Sequence, residues 1–213
     1  MILLLALLSA CTRPAPDTGS TDTADTSATD TADTSDTADT SSGDTGQAPV
    51  VLEALESGGT VAGTDSVDGS TSWAIAITPG AGSITGLGLY LDGSGSSTGD
   101  ALHIEIQGDG ANGPDGTALS SDARLDVPAA DFDHTDWSTV PVDVDLPHPV
   151  PVQASTTYWI VLSAVGDTAT FDAQVLNTGA SDQLASRSEP SGSWAIYAKT
   201  YDWAHAVRGV PAR

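Results

Sequence analysis

An all-β fold is predicted for residues 49–213: an antiparallel β-sandwich or jelly roll of nine or ten short strands. Three observations predict it. Apolar side chains recur at every second position in successive runs. Gly, Pro, Asp and Ser punctuate those runs at short intervals. No stretch of convincing length carries the three-to-four spacing of an amphipathic helix.

The clearest runs lie between Ser83 and Leu119. Leu87, Leu89 and Leu91 alternate with Gly88 and Tyr90, and Leu102, Ile104 and Ile106 alternate with His103, Glu105 and Gln107. All six apolar side chains should face one core, with the Gly93–Gly99 and Gly108–Gly116 loops on the surface. Val50 to Leu55 forms a first strand, and Trp73, Ile75 and Ile77 a second. Arg124 to Val127 makes a short one. Val140 to Leu146 alternates but contains Pro141, so it belongs at an edge or begins after the proline. Tyr158 to Leu162 is apolar on both phases, which suits a central strand. Phe171–Val175, Trp194–Lys199 and Trp203–Val207 complete the set.

The chain before residue 49 differs in kind. Met1 to Leu8 is an apolar run ending in Ser9, Ala10 and Cys11, which reads as a secretory signal over residues 1–10. It is shorter than the roughly 20 residues a membrane-spanning helix needs. Residues 11–48 repeat Thr, Asp and Ala almost without large apolar side chains. Such a segment cannot bury enough surface to offset its ordering entropy, so a disordered linker is predicted. Eight aspartates against Arg13 give it −7 of the chain's −23, leaving −16 for the rest. Like charges extend such a tether, to a limit of about 120 Å at roughly 3.3 Å per residue.

Six Lys and Arg against 29 Asp and Glu argue against nucleic acid, whose phosphates need basic partners. Cys11 is the only cysteine, so no intrachain disulfide can form.

Motifs for chemistry fail on context. Gly108–Gly113 matches GxGxxG, but Pro114-Asp115-Gly116 follows in place of a helix. Gly95–Gly99 matches GxSxG, but inside a Gly/Ser loop and not at a strand-to-helix elbow. The four histidines, 103, 134, 148 and 205, have no zinc-like spacing. No enzyme activity is expected. Calcium is the one cofactor the residues suggest. Asp131, Asp133 and Asp136 form one oxygen-rich turn, and Asp109 and Asp115 with Asn112 another. Ligand contact would fall to aromatic side chains near turns, Trp137, Tyr201 and Trp203, and to Trp159 on the second face of its strand. Trp73 and Trp194 share phase with isoleucines and are expected in the core.

Two resemblances add to this reading. Leu8-Ser9-Ala10-Cys11 resembles the bacterial lipobox, whose cysteine becomes the acylated first residue of a lipoprotein. No Lys or Arg precedes the apolar run, a departure from that pattern. Thr12 in place of Asp lacks the inner-membrane retention signal, so the resemblance implies an outer-membrane or cell-surface location. The second concerns three segments: Gly113–Leu119 (GPDGTAL), Trp137–Val142 (WSTVPV) and Pro151–Leu162 (PVQASTTYWIVL). They resemble the choice-of-anchor type of bacterial extracellular β-sandwich, the R-type in particular, over most of Ser70 to Arg213. Val152 stands at that family's leucine position and Ser155 at its glycine position. The resemblance implies a surface-displayed sandwich with no established activity; the chain as a whole is read as a non-catalytic protein with a structural or adhesion role and an unspecified protein or glycan ligand. The alternative is a carbohydrate-binding module using exposed aromatics, with structural calcium.

Several acyl chains at Cys11 would anchor firmly, since each buried CH₂ contributes about 0.8 kcal/mol. Cys11→Ala should move the protein from the membrane fraction to the soluble one. Unchanged fractionation on ultracentrifugation would refute the acylation.

Overall fold

A computed structural model describes residues 48–55, 60–177, 184–189, 192–197 and 201–213. The signal segment, Cys11 and the linker lie outside them, as does Lys199. The fold is all-β and antiparallel.

The strands, in chain order, are β1 (Val50–Leu55), β2 (Thr60–Asp68), β3 (Thr71–Ile77), β4 (Gly82–Leu89), β5 (Leu91–Asp92), β6 (Ala101–Gly110), β7 (Gly113–Ala118) and β8 (Arg124–Pro128). Then come β9 (Val142–Val152), β10 (Tyr158–Val165), β11 (Thr170–Asn177), β12 (Leu184–Ser188), β13 (Ala195–Tyr197), β14 (Tyr201–Trp203) and β15 (His205–Pro211). Two short 3₁₀ turns, Ser121–Ala123 and Ala129–Phe132, flank β8.

One sheet has the order β1-β15-β4-β9. The other centres on β10, which pairs with β3 and β6. β7 and β8 extend it beyond β6, and β12 and β13 beyond β3. β11 joins β2, β5 and β14.

The alternation read from the sequence places the core. Leu87, Leu89, Leu91, Leu102, Ile104 and Ile106 are all buried and belong to one cluster. Tyr158, Ile160 and Leu162 of β10 join them from its inward phase. Its outward phase is buried too: Trp159 and Val161 pack with Ala74 and Ala185 in a second, smaller cluster. That double burial is why the strand is apolar on both phases.

The polar phase of β6 forms a continuous outer stripe. His103 Nδ1 sits 2.5 Å from Asp126 Oδ1, and its Nε2 lies 3.3 Å from Glu105 Oε1. Gln107 donates to Glu105 and accepts from the Gly116 N–H at 2.9 Å.

Two single-strand readings change. The runs 87–91 and 203–207 each split, because the chain crosses there from one sheet to the other. β4 pairs with β15 and β9, whereas β5, beyond Tyr90, pairs with β11. β14 pairs with β11, whereas β15, beyond Ala204, pairs with β1 and β4. Tyr90 and Ala204 pack together with Leu176 at this corner. Strands that switch sheets in this way close the corner of a sandwich.

β9 begins after Pro141 and lies at a sheet edge, as its prolines require. Its register with β4 shifts between Asp145 and Val150, and Pro147 and Pro149 fall in that bulge. Arg208 crosses the face of the same sheet over Gly86, where a Cβ would stand 2.9 Å from its Nη2. It reaches Asp145 at 3.3 Å and Asp143 at 3.5 Å.

The Gly93–Gly99 loop is largely exposed but tied down. Ser97 N–H and Thr168 Oγ1 donate to Asp100, at 2.7 and 2.6 Å. Residues 108–116 are not a free loop: β6 and β7 pair through them, and Gly113 and Pro114 are buried.

The turn before β10 closes by the Gln153 N–H donating to the Tyr158 hydroxyl at 3.0 Å. Ser155 in this turn has φ +59°, the one non-glycine in the left-handed region among the described residues. That conformation costs an L-residue about 1–2 kcal/mol, and glycine's freer unfolded chain takes back part of the relief. Ser155→Gly should therefore raise the urea-unfolding free energy by about 0.5–1 kcal/mol. A loss of stability would contradict the assigned backbone conformation.

Candidate aromatic and acidic site

β2 alternates Gly63, Asp65 and Val67 on one phase. Val67 opposes Phe171 of β11, and both are fully buried. Asp65 opposes Ala173, also buried, so this carboxyl lies on the core-facing side. Gly63 opposes Val175, which in turn opposes Trp203 of β14. One row of three strands thus runs from a residue without a side chain to the largest one.

Trp203 is 1% exposed. Its ring lies 5.1 Å from that of Trp73, and Trp73 stacks on Tyr197 at 5.5 Å. The Trp73 indole N–H donates to the Ser66 carbonyl at 2.9 Å, which fixes the ring against β2. Tyr197 is 40% exposed and forms the outer end of the stack. A cleft of about 310 Å³ opens here, lined by Gly63, Asp65, Trp73, Val175, Leu184 and Tyr197. A Cβ at Gly63 would meet nothing within 4 Å, so the glycine leaves the space open.

Burial pushes the Asp65 carboxyl above the usual aspartate range, with the nearby Trp203 indole acting in the opposite sense. The indole Nε1 is buried, and Asp65 is the acceptor beside it.

The expected ligand residues disperse. Trp203 is buried in the main core, contrary to its expected exposure, because β14 turns it inward beside Val175. Trp159 is 2% exposed, and its Nε1 donates to Asp109 Oδ1 at 2.8 Å, so it presents no free ring face. Trp137 is half-buried and, among the described residues, stacks on no other ring. The Tyr201 side chain lies outside the described residues.

Trp194, expected in the core beside Ile196, packs half-buried on the outer cluster with the Arg187 guanidinium 4.8 Å above its ring. Ile196 is exposed. Asp65 and Tyr197 were missed as site residues. Asp65 shares its phase with Val67, a signal present in the sequence.

Asp131, Asp133 and Asp136 are exposed around the second 3₁₀ turn, with Asp136 held 3.0 Å from His134 Nδ1. Asp115 accepts from the Thr117 N–H at 2.9 Å. Among the described residues, no three acidic, imidazole or thiol groups converge. Ser97, the would-be nucleophile of GxSxG, sits in a turn with its hydroxyl 2.8 Å from that of Thr168, whose own proton goes to Asp100. Strand β7, and not a helix, follows the GxGxxG match.

No protein-family model matches this chain, and no curated protein is detectably similar to it in sequence.

His205 adjoins the aromatic group at the sheet-crossing corner. It is buried, and its Nδ1 lies 2.8 Å from the Trp203 carbonyl, which makes Nδ1 the protonated nitrogen and leaves Nε2 bare. Burial lowers its pKa below the ordinary 6.5, opposed by that carbonyl contact. The folded state therefore favours neutral imidazole. This stability is fully present above the unfolded pKa and is lost as pH falls below it towards the folded value, at up to about 1.4 kcal/mol per pH unit. Glu53 and Asp65, raised by burial, act in the opposite sense at lower pH. The readout is therefore a difference: between pH 7.5 and 5, melting temperature should fall more steeply for the parent than for His205→Leu. Parallel profiles would disprove the buried neutral state.

Proposed function

We propose that this protein is a lipid-anchored cell-envelope protein that displays a non-catalytic β-sandwich, with a structural or adhesion role, at the end of an acidic tether. The observation that carries the reading is the order of parts: a lipobox-like Leu8–Cys11, a Thr/Asp-rich segment, then an antiparallel sandwich. Each part has a physical use in that order. Acyl chains hold the membrane, like charges extend the tether, and the sandwich needs no disulfide to fold.

The choice-of-anchor resemblance fits the geometry at its own motif. Ser155 stands at the family's glycine position and adopts the left-handed backbone that favours glycine. Tyr158, the motif's tyrosine, closes the same turn through its hydroxyl. The outer-membrane or surface location rests on the lipobox resemblance and on Thr12.

Two measurements test the proposal in a diderm bacterial host. Labelled palmitate should enter the parent chain and not Cys11→Ala, and protease added to intact cells should cleave the tether while a periplasmic marker survives. Absence of label in the parent would refute the anchor, and protection from protease would refute surface display. A glycan array probed with the full chain should give no reproducible hits. Retention of one glycan family would replace plain display with the carbohydrate-binding alternative.

A further inference from the structure

We propose that the cleft formed by Asp65, Trp73 and Tyr197 binds an alkylammonium group, either protonated or quaternary. The inference does not depend on lipid anchoring or surface display.

Three features of the cleft call for the same ligand. Asp65 is an acid on the core-facing phase of β2, and among the described residues no cation offsets its burial. The guanidiniums of Arg187 and Arg208 are engaged elsewhere, with Glu189 and with Asp143 and Asp145. A cation in the cleft would keep Asp65 ionised. The second feature is the wall. Trp73 is buried between Trp203 and Tyr197, and Tyr197, at the exposed end of the stack, supplies the accessible aromatic surface whose negative face attracts a cation. The third is the buried Trp203 Nε1–H beside Asp65. An ionised carboxylate can turn one oxygen to this donor and the other to the ligand.

The dimensions agree with a small headgroup. The cleft holds about 310 Å³, and Gly63 leaves its floor open. Val175 and Leu184 supply apolar surface for methyl or methylene groups next to the charge. A neutral sugar would stack on Tyr197 but would leave Asp65 without a counter-charge. An anion would meet the carboxylate directly. The surrounding field acts in the same direction, because a domain of −16 concentrates cations near its surface.

An alkylammonium could come from a free small molecule or from a lysine side chain of a partner protein. Choline chloride represents the first source and Nα-acetyl-lysine amide the second. Each is titrated into the full chain and followed by tryptophan fluorescence and calorimetry. Norleucine amide and methyl glucoside serve as uncharged controls. Saturable binding of choline or of the lysine amide is expected, with the controls silent, and the tighter of the two identifies the source. Asp65→Asn and Tyr197→Leu should each weaken binding about tenfold or more, in keeping with cation–π and charge contributions in a desolvated site. Leu119→Ala, an exposed change elsewhere, should leave it unaltered. Tyr197→Leu alters a partly exposed side chain and keeps the test open if Asp65→Asn fails to fold. The proposal is overturned if neither cation gives a saturable titration, if Asp65→Asn binds as the parent does, or if methyl glucoside binds equally well.

Discussion

The apolar layer between the two sheets holds this molecule together. The single cysteine rules out intrachain disulfide cross-linking, and the described domain is strongly acidic, so self-repulsion works against compactness. Burial of the inward phases of β4, β6, β10 and β11 must outweigh that repulsion and the entropy of ordering the chain. The layer depends on register. A slip of one residue in β6 would turn Leu102, Ile104 and Ile106 outward and bring His103, Glu105 and Gln107 into the core. The outer stripe guards against that slip, because Asp126, Glu105 and Gly116 already engage those polar side chains.

The corner at Tyr90 and Ala204 follows from the same layer. Two segments each serve both sheets, and they cross side by side, with Leu89 opposite His205. Each crossing keeps an inward phase apolar on both sides of the break: Leu89 then Leu91, and Trp203 then Val207. The crossing also explains why His205 is buried. It begins β15 where the chain has just left the other sheet, and its Nδ1–H satisfies the carbonyl of the last residue of β14. An imidazole can do so while staying neutral, which a lysine or arginine could not.

Legibility in the sequence followed local alternation. β3, β4, β6, β10 and β11 carry their own apolar phase, and each was found. β2, β7 and β12 were not. β2 reads TVAGTDSVD, β7 reads GPDGTA and β12 reads LASRS, none with a sustained apolar phase. They are strands because their neighbours are. β2 lies along β11, β7 along β6 and β12 along β3, and pairing overrides weak intrinsic preference. The aromatic residues were misjudged for a related reason. Trp203 looked turn-flanking because the break at Ala204 was unreadable, and Trp194 looked buried because Ile196 shares its phase. Sequence spacing gives relative phase, but which phase faces inward is settled by the partner strand.

The Asp65 cleft sits where these two limits meet. It lies on a strand defined by its neighbour and beside a tryptophan placed by the crossing. A leucine at position 65 and a valine at 63 would line the cleft beside Val175 with apolar surface. The chain instead places a carboxylate and a glycine there, which leaves the cleft open and acidic. Partial burial of an acid that no described cation offsets is unfavourable, and here it occurs in a domain that already carries excess negative charge. Packing alone gives no reason for that pair of residues. A ligand that brings positive charge and apolar surface to the same place does.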